Sequence, residues 1–200
     1  MSAPDNTDFE AIFRLPDPWG FESLWYEARK REILLASLPD RRYGRVFEPA
    51  CANGLLTEAL ARRCTALVAM DPIPRAIELA RARLATHPHV SLEVGELPRD
   101  WPDGIFDLIV LSEFAYYLPL AAWQRLAQRA AASLSPQGVI VACHWLRPFR
   151  GRQLSPREAH RCIGRQPGLH RQARHLEPDF LLEVWSRDAR PLRSREEAPT

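Results

Sequence analysis

Short apolar runs alternate with stretches of helical periodicity along most of this chain, and that alternation constrains the fold more than any other feature. The run Phe106–Leu111, apolar except for Asp107, has the composition of a strand covered on both faces of a parallel sheet. Arg45–Glu48, Ala66–Met70, Val90–Val94 and Val139–His144 read as companion strands. Between them, Gly54–Cys64, Pro74–Ala85 and Pro119–Ser133 carry apolar residues at three- and four-residue spacing, as Ile77, Ala80 and Leu84 do. Pro72 and Pro74 fall near the start of the second of these helices, where a missing N–H costs least. Strand, helix and strand joined by short connections predict an α/β fold. Its Rossmann-like sheet is mostly parallel, with helices on both faces.

The flanks complete the scheme. Glu22–Leu38 predicts a helix ahead of the first strand, ended by Pro39 and Asp40. Ser155 and Pro156 look like the N-cap and first position of a late helix running to about Gly164. Leu169–His175 and Phe180–Ser186 have no helix between them and predict an antiparallel hairpin at the sheet edge, for seven strands in all. Residues 1–20 hold Pro4, Pro16, Pro18 and Gly20 and read as an N-terminal arm of loop. Residues 21–187 then form a single domain that opens with the Glu22–Leu38 helix, and 188–200 a flexible tail.

A chain of 200 residues is long enough to bury its core without disulfide or metal staples. Its cysteines, Cys51, Cys64, Cys143 and Cys162, are scattered without a C-x-x-C, which argues against a disulfide framework or a metal centre. The apolar runs are far shorter than a membrane span, and Met1–Glu10 has no signal-peptide pattern. The reading is a cytoplasmic protein with reduced thiols. Its formal net charge is only +2, yet of 27 basic side chains only Lys30 is a lysine. Codon bias is the simplest account of that.

Phe47 to Gly54, the sequence FEPACANG, joins the first strand to its helix. In open α/β sheets that junction is where ligands bind, and small residues let them reach the backbone. Asp71 ends the second strand, where an acidic residue meets ribose hydroxyls in nucleotide sites. G-x-G-x-x-G is absent, which disfavours a nicotinamide dinucleotide.

The loop resembles motif I of class I S-adenosylmethionine-dependent methyltransferases, an acidic residue followed by three alternating glycines. Here Glu48 is the acidic residue, Ala50 and Ala52 replace two glycines, and Gly54 remains. Alanine tolerates left-handed φ poorly, so the loop is expected to use right-handed φ at both alanines or to rearrange. Gly95-Glu96-Leu97 and Phe106–Glu113 match later motifs of the family. Asp17–Gly20, Trp25–Lys30, Phe47–Pro49, Tyr116–Leu118 and Ala142–Trp145 narrow the resemblance to its nodulation-protein-S-like branch. The resemblance spans roughly residues 17–186 and implies S-adenosylmethionine as cofactor. Glu48, Ala50, Cys51, Ala52, Gly54, Asp71, Pro72, Glu96, Leu97 and Ser112 would bind it, with Glu96 and Leu97 at the adenine. Trp19, Trp25 and Tyr26 lie in a segment that would cover it; anchoring the first helix is the other role open to them. Arg29 has two readings, the methionyl carboxylate or a solvated helix face.

Methyl transfer requires alignment of acceptor, methyl and sulfur, and removal of a proton from the acceptor. His144, ending the fifth strand, is the expected general base; Tyr117 and Glu113 are candidates to orient the acceptor or take its proton. His160 and Tyr116 could line the acceptor pocket. Arginines gather between Arg147 and Arg174; they read as a solvated face or as contacts for an acceptor bearing phosphate or carboxylate. No RNA-binding motif accompanies them, so nucleic acid is not the expected partner. The expected function is N- or O-methylation of a small molecule such as an amino sugar or oligosaccharide, as the branch's named member methylates a deacetylated glucosamine end of a chitin oligosaccharide. A non-catalytic cofactor-binding protein of the same fold is the alternative, motivated by Ala50 and Ala52.

Overall fold

A computed structural model describes residues 6–15 and 17–196. Its centre is a seven-stranded sheet of β1 (Tyr43–Pro49), β2 (Cys64–Asp71), β3 (Val90–Val94), β4 (Phe106–Ser112), β5 (Leu134–Trp145), β6 (His170–Leu176) and β7 (Phe180–Ser186). The spatial order is β3-β2-β1-β4-β5-β7-β6. The first five strands are parallel; β7 runs antiparallel to both β5 and β6. The strand order reverses between β1 and β4, which opens a crevice beyond their carboxyl ends.

Helices α1 (Asn6–Ile12), α2 (Trp25–Ser37), α3 (Leu55–Ala61), α4 (Pro74–Arg83), α5 (Leu120–Ala132), α6 (Pro156–Gly164) and α7 (Leu192–Glu196) surround the sheet. Side chains alternate along β4 between two cores. Ile109 and Leu111 join Phe47, Ile140, Trp123 and Leu126 of the α5–α6 side. Leu108 and Val110 join Leu34, Val46, Leu60 and Ile77 of the other side. Burial at Trp123, Leu126, Ala127, Ala130 and Ala131 follows helical spacing and seats α5. The Trp123 indole N–H donates to the Ala159 carbonyl at 2.9 Å and locks α5 to α6. Trp123→Ala is expected to cost about 3–5 kcal/mol in urea unfolding, from the lost volume of a fully buried ring.

β3 and β7 keep their predicted bounds, β1, β2 and β4 extend by one or two residues at one end or both, β6 shifts by one residue, and β5 begins five residues before Val139. Ser135–Gly138 lies inside β5, where pairing jumps from Phe106–Leu134 to Leu108–Val139. The extra residues bulge out of the ladder there. The N-terminal segment differs from the loop expected of it. Asn6–Ile12 is helical, and Phe9, Phe13 and Trp19 pack with Ile73, Ala76 and Ala52. Burial of those rings outweighs the helix-breaking prolines around it. Pro4 and Pro16 lie outside the described residues, as do the last four of the expected tail. Within that tail Leu192–Glu196 forms α7, held by the Arg195 guanidinium donating to the Asp188 carbonyl at 2.8 Å.

Candidate active site

The β1–α3 loop is the floor of the site. Backbone φ is +55° at Ala50, +51° at Ala52 and +77° at Gly54. The loop therefore keeps three left-handed residues, contrary to the right-handed geometry expected of its alanines. What holds the shape is a carboxylate: Asp71 Oδ2 accepts the Ala52 N–H at 2.9 Å and Oδ1 the Ile73 N–H at 3.0 Å. The Cys51 N–H donates to the Met70 carbonyl at 3.0 Å, adding a second tie to β2. Left-handed alanine costs about 1–2 kcal/mol, whereas glycine loses about 0.5–1 kcal/mol more backbone entropy. Ala50→Gly or Ala52→Gly is thus expected to leave stability in urea unchanged or raise it by up to ~1 kcal/mol.

Gly54 is glycine for a second reason. A Cβ there would stand 3.0 Å from the Ala80 Cβ and 3.1 Å from its Cα, on α4. Gly54→Ala is expected to destabilise by about 2 kcal/mol, strain and overlap combined, by the same measurement.

A pocket opens above this loop, lined by Glu48, Ala50, Cys51 and Ala52, by Ser112 and Glu113 at the end of β4, and by Glu27, Lys30 and Arg31 of α2. Glu48 is buried, and its Oε2 has no hydrogen-bond partner. Burial, reinforced by the Asp71 charge, pushes its carboxyl up to about 8; burial also raises Asp71, to about 6, against its two backbone donors. A carboxyl raised on folding binds its proton more tightly folded than unfolded, so burial of its charge weakens the free protein most above the folded value. Acidifying from pH 9 to 7 is expected to raise the melting temperature by ~3–6 °C, because a carboxyl with a folded value of about 8 recovers about 1.4 kcal/mol over that span. Glu48→Gln should flatten that rise in a thermal scan.

Glu113 carries the pocket's most constrained side chain. Its φ is +61°, and its N–H donates to the Cys143 carbonyl at 2.9 Å. Oε2 accepts the Tyr116 hydroxyl at 2.6 Å and the Trp145 N–H at 3.0 Å; Oε1 accepts the Lys30 ammonium at 2.8 Å. Tyr117 is half-buried in a ring cluster with Phe9, Tyr116 and Phe149, outside the pocket lining. Burial pushes its phenol up to about 12.

Two expected roles are corrected. His144 is fully buried and has no free ring nitrogen: Nε2 accepts the Ala115 N–H at 3.3 Å and Nδ1 meets His160 Nε2 at 3.0 Å. Burial and the neighbouring His160 hold its pKa well below the usual histidine value. Its imidazole supports the Ala115–Tyr117 turn through the Ala115 N–H, and neither ring nitrogen is left free to face the pocket. Arg29 forms a two-bond pair with Glu177, at 2.9 and 2.6 Å, on a face of α2 away from the pocket. Its neighbours Lys30 and Arg31 line the pocket instead.

Trp19 is half-buried in the cluster that includes Ala52, beside the loop. Pro72 is half-buried between Asp71 and α4. Beyond β3, Glu96 is exposed with its N–H donating to Asp100 Oδ2 at 2.9 Å, and Leu97 packs inward. The arginine excess does not reach the pocket: Arg147 pairs with Asp179, Arg171 and Arg174 with Glu183. Glu27, Lys30 and Cys143 are pocket residues that sequence reasoning did not single out. The lone lysine was the signal for one of them.

Comparison with known proteins bears on the fold and the family. Residues 7–137 match the family described as Nodulation protein S (NodS). Nodulation protein S of Rhizobium tropici is 34% identical over 127 residues, 62% of this chain and 53% of that protein, so the chain spans about half the length of that curated relative. Two solved structures superimpose closely. A putative methyltransferase from Pseudomonas syringae is 48% identical, covering 82% of this chain and 99% of its own, with a TM-score of 0.73. N-methyltransferase NodS from Bradyrhizobium japonicum, in complex with S-adenosyl-L-homocysteine, is 26% identical, covering 91% of this chain and 98% of its own, with a TM-score of 0.82. The seven-stranded sheet, with its reversed β7, is the class I methyltransferase fold, and with most of its length matching the NodS family this chain belongs to that family.

Proposed function

We propose that this chain transfers the methyl group of S-adenosylmethionine to a small-molecule acceptor, at an amine nitrogen before an oxygen. The observation that carries the reading is the placement of an unpartnered buried carboxyl, Glu48, at a left-handed switch-point loop that opens toward Glu113. The residues fit the cofactor. Glu48 Oε2 and Asn53 Nδ2 are buried without partners, and both residues line the pocket. The former suits the methionyl ammonium. Asp71 uses one lone pair on each oxygen and keeps others for ribose hydroxyls. The small side chains of Ala50 and Ala52 leave backbone exposed to a ligand, and Glu96 offers an exposed carboxylate beyond β3 for the adenine edge.

The cofactor supplies an electrophilic methyl on a sulfonium; as an acceptor lone pair takes it, the carbon–sulfur bond breaks and sulfur keeps the electron pair. The chain's task is then alignment and water exclusion. Glu113 has about four lone-pair positions and three donors, so one position remains for an acceptor N–H or O–H. Phe9, Phe13 and Trp19 pack beside Ala52 of the loop, and the protein works in the cytoplasm. The binder-only alternative rested on Ala50 and Ala52, and the loop's left-handed geometry at both removes that motive.

Calorimetry with S-adenosylhomocysteine tests the site; absence of binding at millimolar ligand would sink the reading. Mass spectrometry then follows methylation of glucosamine and of a chitin oligosaccharide with one deacetylated end. Acceptor-dependent S-adenosylhomocysteine is the expected product. Cofactor binding without methylation of any amine or hydroxyl acceptor would restore the binder-only alternative.

A further inference from the structure

Lys30 is the only lysine in a chain whose other 26 basic side chains, 27 less one, are all arginine. It is also buried, in the pocket where the ends of β4 and β5 meet α2. Its ammonium lies 2.9 Å from Glu27 Oε2, 3.0 Å from Glu27 Oε1 and 2.8 Å from Glu113 Oε1, and 5.2 Å from the centre of the Tyr26 ring. Two carboxylates therefore converge on one point. A compact ammonium with three tetrahedral donors satisfies that arrangement; a planar guanidinium, which suits one coplanar carboxylate, does not. Where arginine would serve, this chain uses arginine, so the position requires lysine's shape. Codon bias explains the other basic residues and leaves this one to chemistry.

We propose that Lys30 is a positioning residue for methyl transfer: its ammonium fixes Glu113 Oε1, so that the one remaining lone-pair position of Glu113 faces the acceptor. The inference rests on the methyltransferase reading above. Fixation comes from both ends of the carboxylate. Tyr116 and Trp145 hold Oε2 from the β4–β5 side, and Lys30 holds Oε1 from α2. Glu113 itself sits at a backbone φ of +61°, strain of the kind that persists where surroundings over-determine a functional conformation. Without Lys30 the carboxylate would turn about its remaining anchors, and Glu27 would lose its partner as well. Acceptor geometry would then suffer while the cofactor's own contacts, on the β1–α3 loop and Asp71, would not.

A single lysine gives a single side-chain resonance, which makes the test direct. In protein labelled with [15N]lysine, one Nζ signal is expected, visible at pH 7 because burial and the hydrogen bonds to Glu27 and Glu113 slow its exchange. It should shift in Glu113→Gln; an exchange-broadened signal, or one unmoved by Glu113→Gln, would overturn the proposal. Kinetics supply the second arm, with glucosamine or the deacetylated chitin oligosaccharide, whichever the wild type methylates. Lys30→Met and Lys30→Arg are both expected to lower kcat at least tenfold, with S-adenosylhomocysteine affinity within about threefold of wild type. Near-wild-type kcat in Lys30→Arg would overturn the requirement for an ammonium. That variant also keeps the test decisive if Lys30→Met fails to fold. A wild type that binds S-adenosylhomocysteine and methylates nothing defeats the methyltransferase reading, and with it the proposal, whatever the Nζ signal shows.

Discussion

Asp71→Ala is expected to weaken S-adenosylhomocysteine binding by about 3 kcal/mol, roughly 150-fold. Two losses add. The ribose would lose a charged acceptor, worth about 1.5–3 kcal/mol. The Ala52 and Ile73 N–H groups would lose the carboxylate that each now meets at 2.9 and 3.0 Å. Without that tie only the Cys51–Met70 backbone bond still holds the loop to β2, and the left-handed Ala52 can relax away from its binding shape. Asp71→Asn should fall between, because its amide presents one acceptor and one donor to two donors. The wild type adds a pH signature. Burial raises this carboxyl to about 6 in the free protein, and the ligand's hydroxyl donors favour its charged form. Affinity should therefore decline as pH falls through about 6, and the decline should be absent in Asp71→Asn. Titration calorimetry at pH 5, 6 and 7.5 reads both effects, and equal affinity of Asp71→Ala and wild type would remove Asp71 from the site.

The same residue shows how much of this site was legible in the chain itself. Its place at the end of β2 followed from an apolar run that stops at a carboxylate, and the apolar runs with the helical patterns between them placed the sheet, its parallel centre and its edge hairpin. Those patterns record burial, and burial is what a sheet and its helices share. What they do not record is which long-range partner a polar side chain finds. Arg29 and Lys30 are adjacent on α2, yet one reaches Glu177 and the other Glu113. Helical rotation of about 100° per residue separates them, and only the packed position of α2 decides which faces the pocket. The alanines of the loop misled for a related reason. Local preference opposes their left-handed φ, and the bond that overrides it comes from a residue 19 positions away. The helix at Asn6–Ile12 was hidden likewise, since its support is the contact of Phe9 with Trp19 and Tyr117.

His144→Ala is expected to act on stability first, lowering it by about 2–4 kcal/mol in urea unfolding. The ring is fully buried, packs against Tyr116, Trp123 and His160, and is the acceptor for the Ala115 N–H. Removing it leaves a cavity, an orphaned backbone donor, and a His160 that keeps only its Glu183 contact at 3.0 Å. A general base would behave otherwise: its loss would abolish turnover while stability held, and its titration would shape the acid limb of kcat. Here the ring's pKa lies well below the usual value and its nitrogens are engaged, so no histidine limb near pH 6.5 should be seen in the wild type. Some loss of turnover will still follow, because Ala115 begins the turn that carries Tyr116 to Glu113. The separation between the two accounts is therefore quantitative. A supporting histidine predicts that His144→Gln, whose amide can still accept the Ala115 N–H, recovers most of both stability and kcat. A base predicts that it recovers stability alone. Chemical denaturation and single-turnover rates on that variant, at saturating cofactor, decide which part His144 plays.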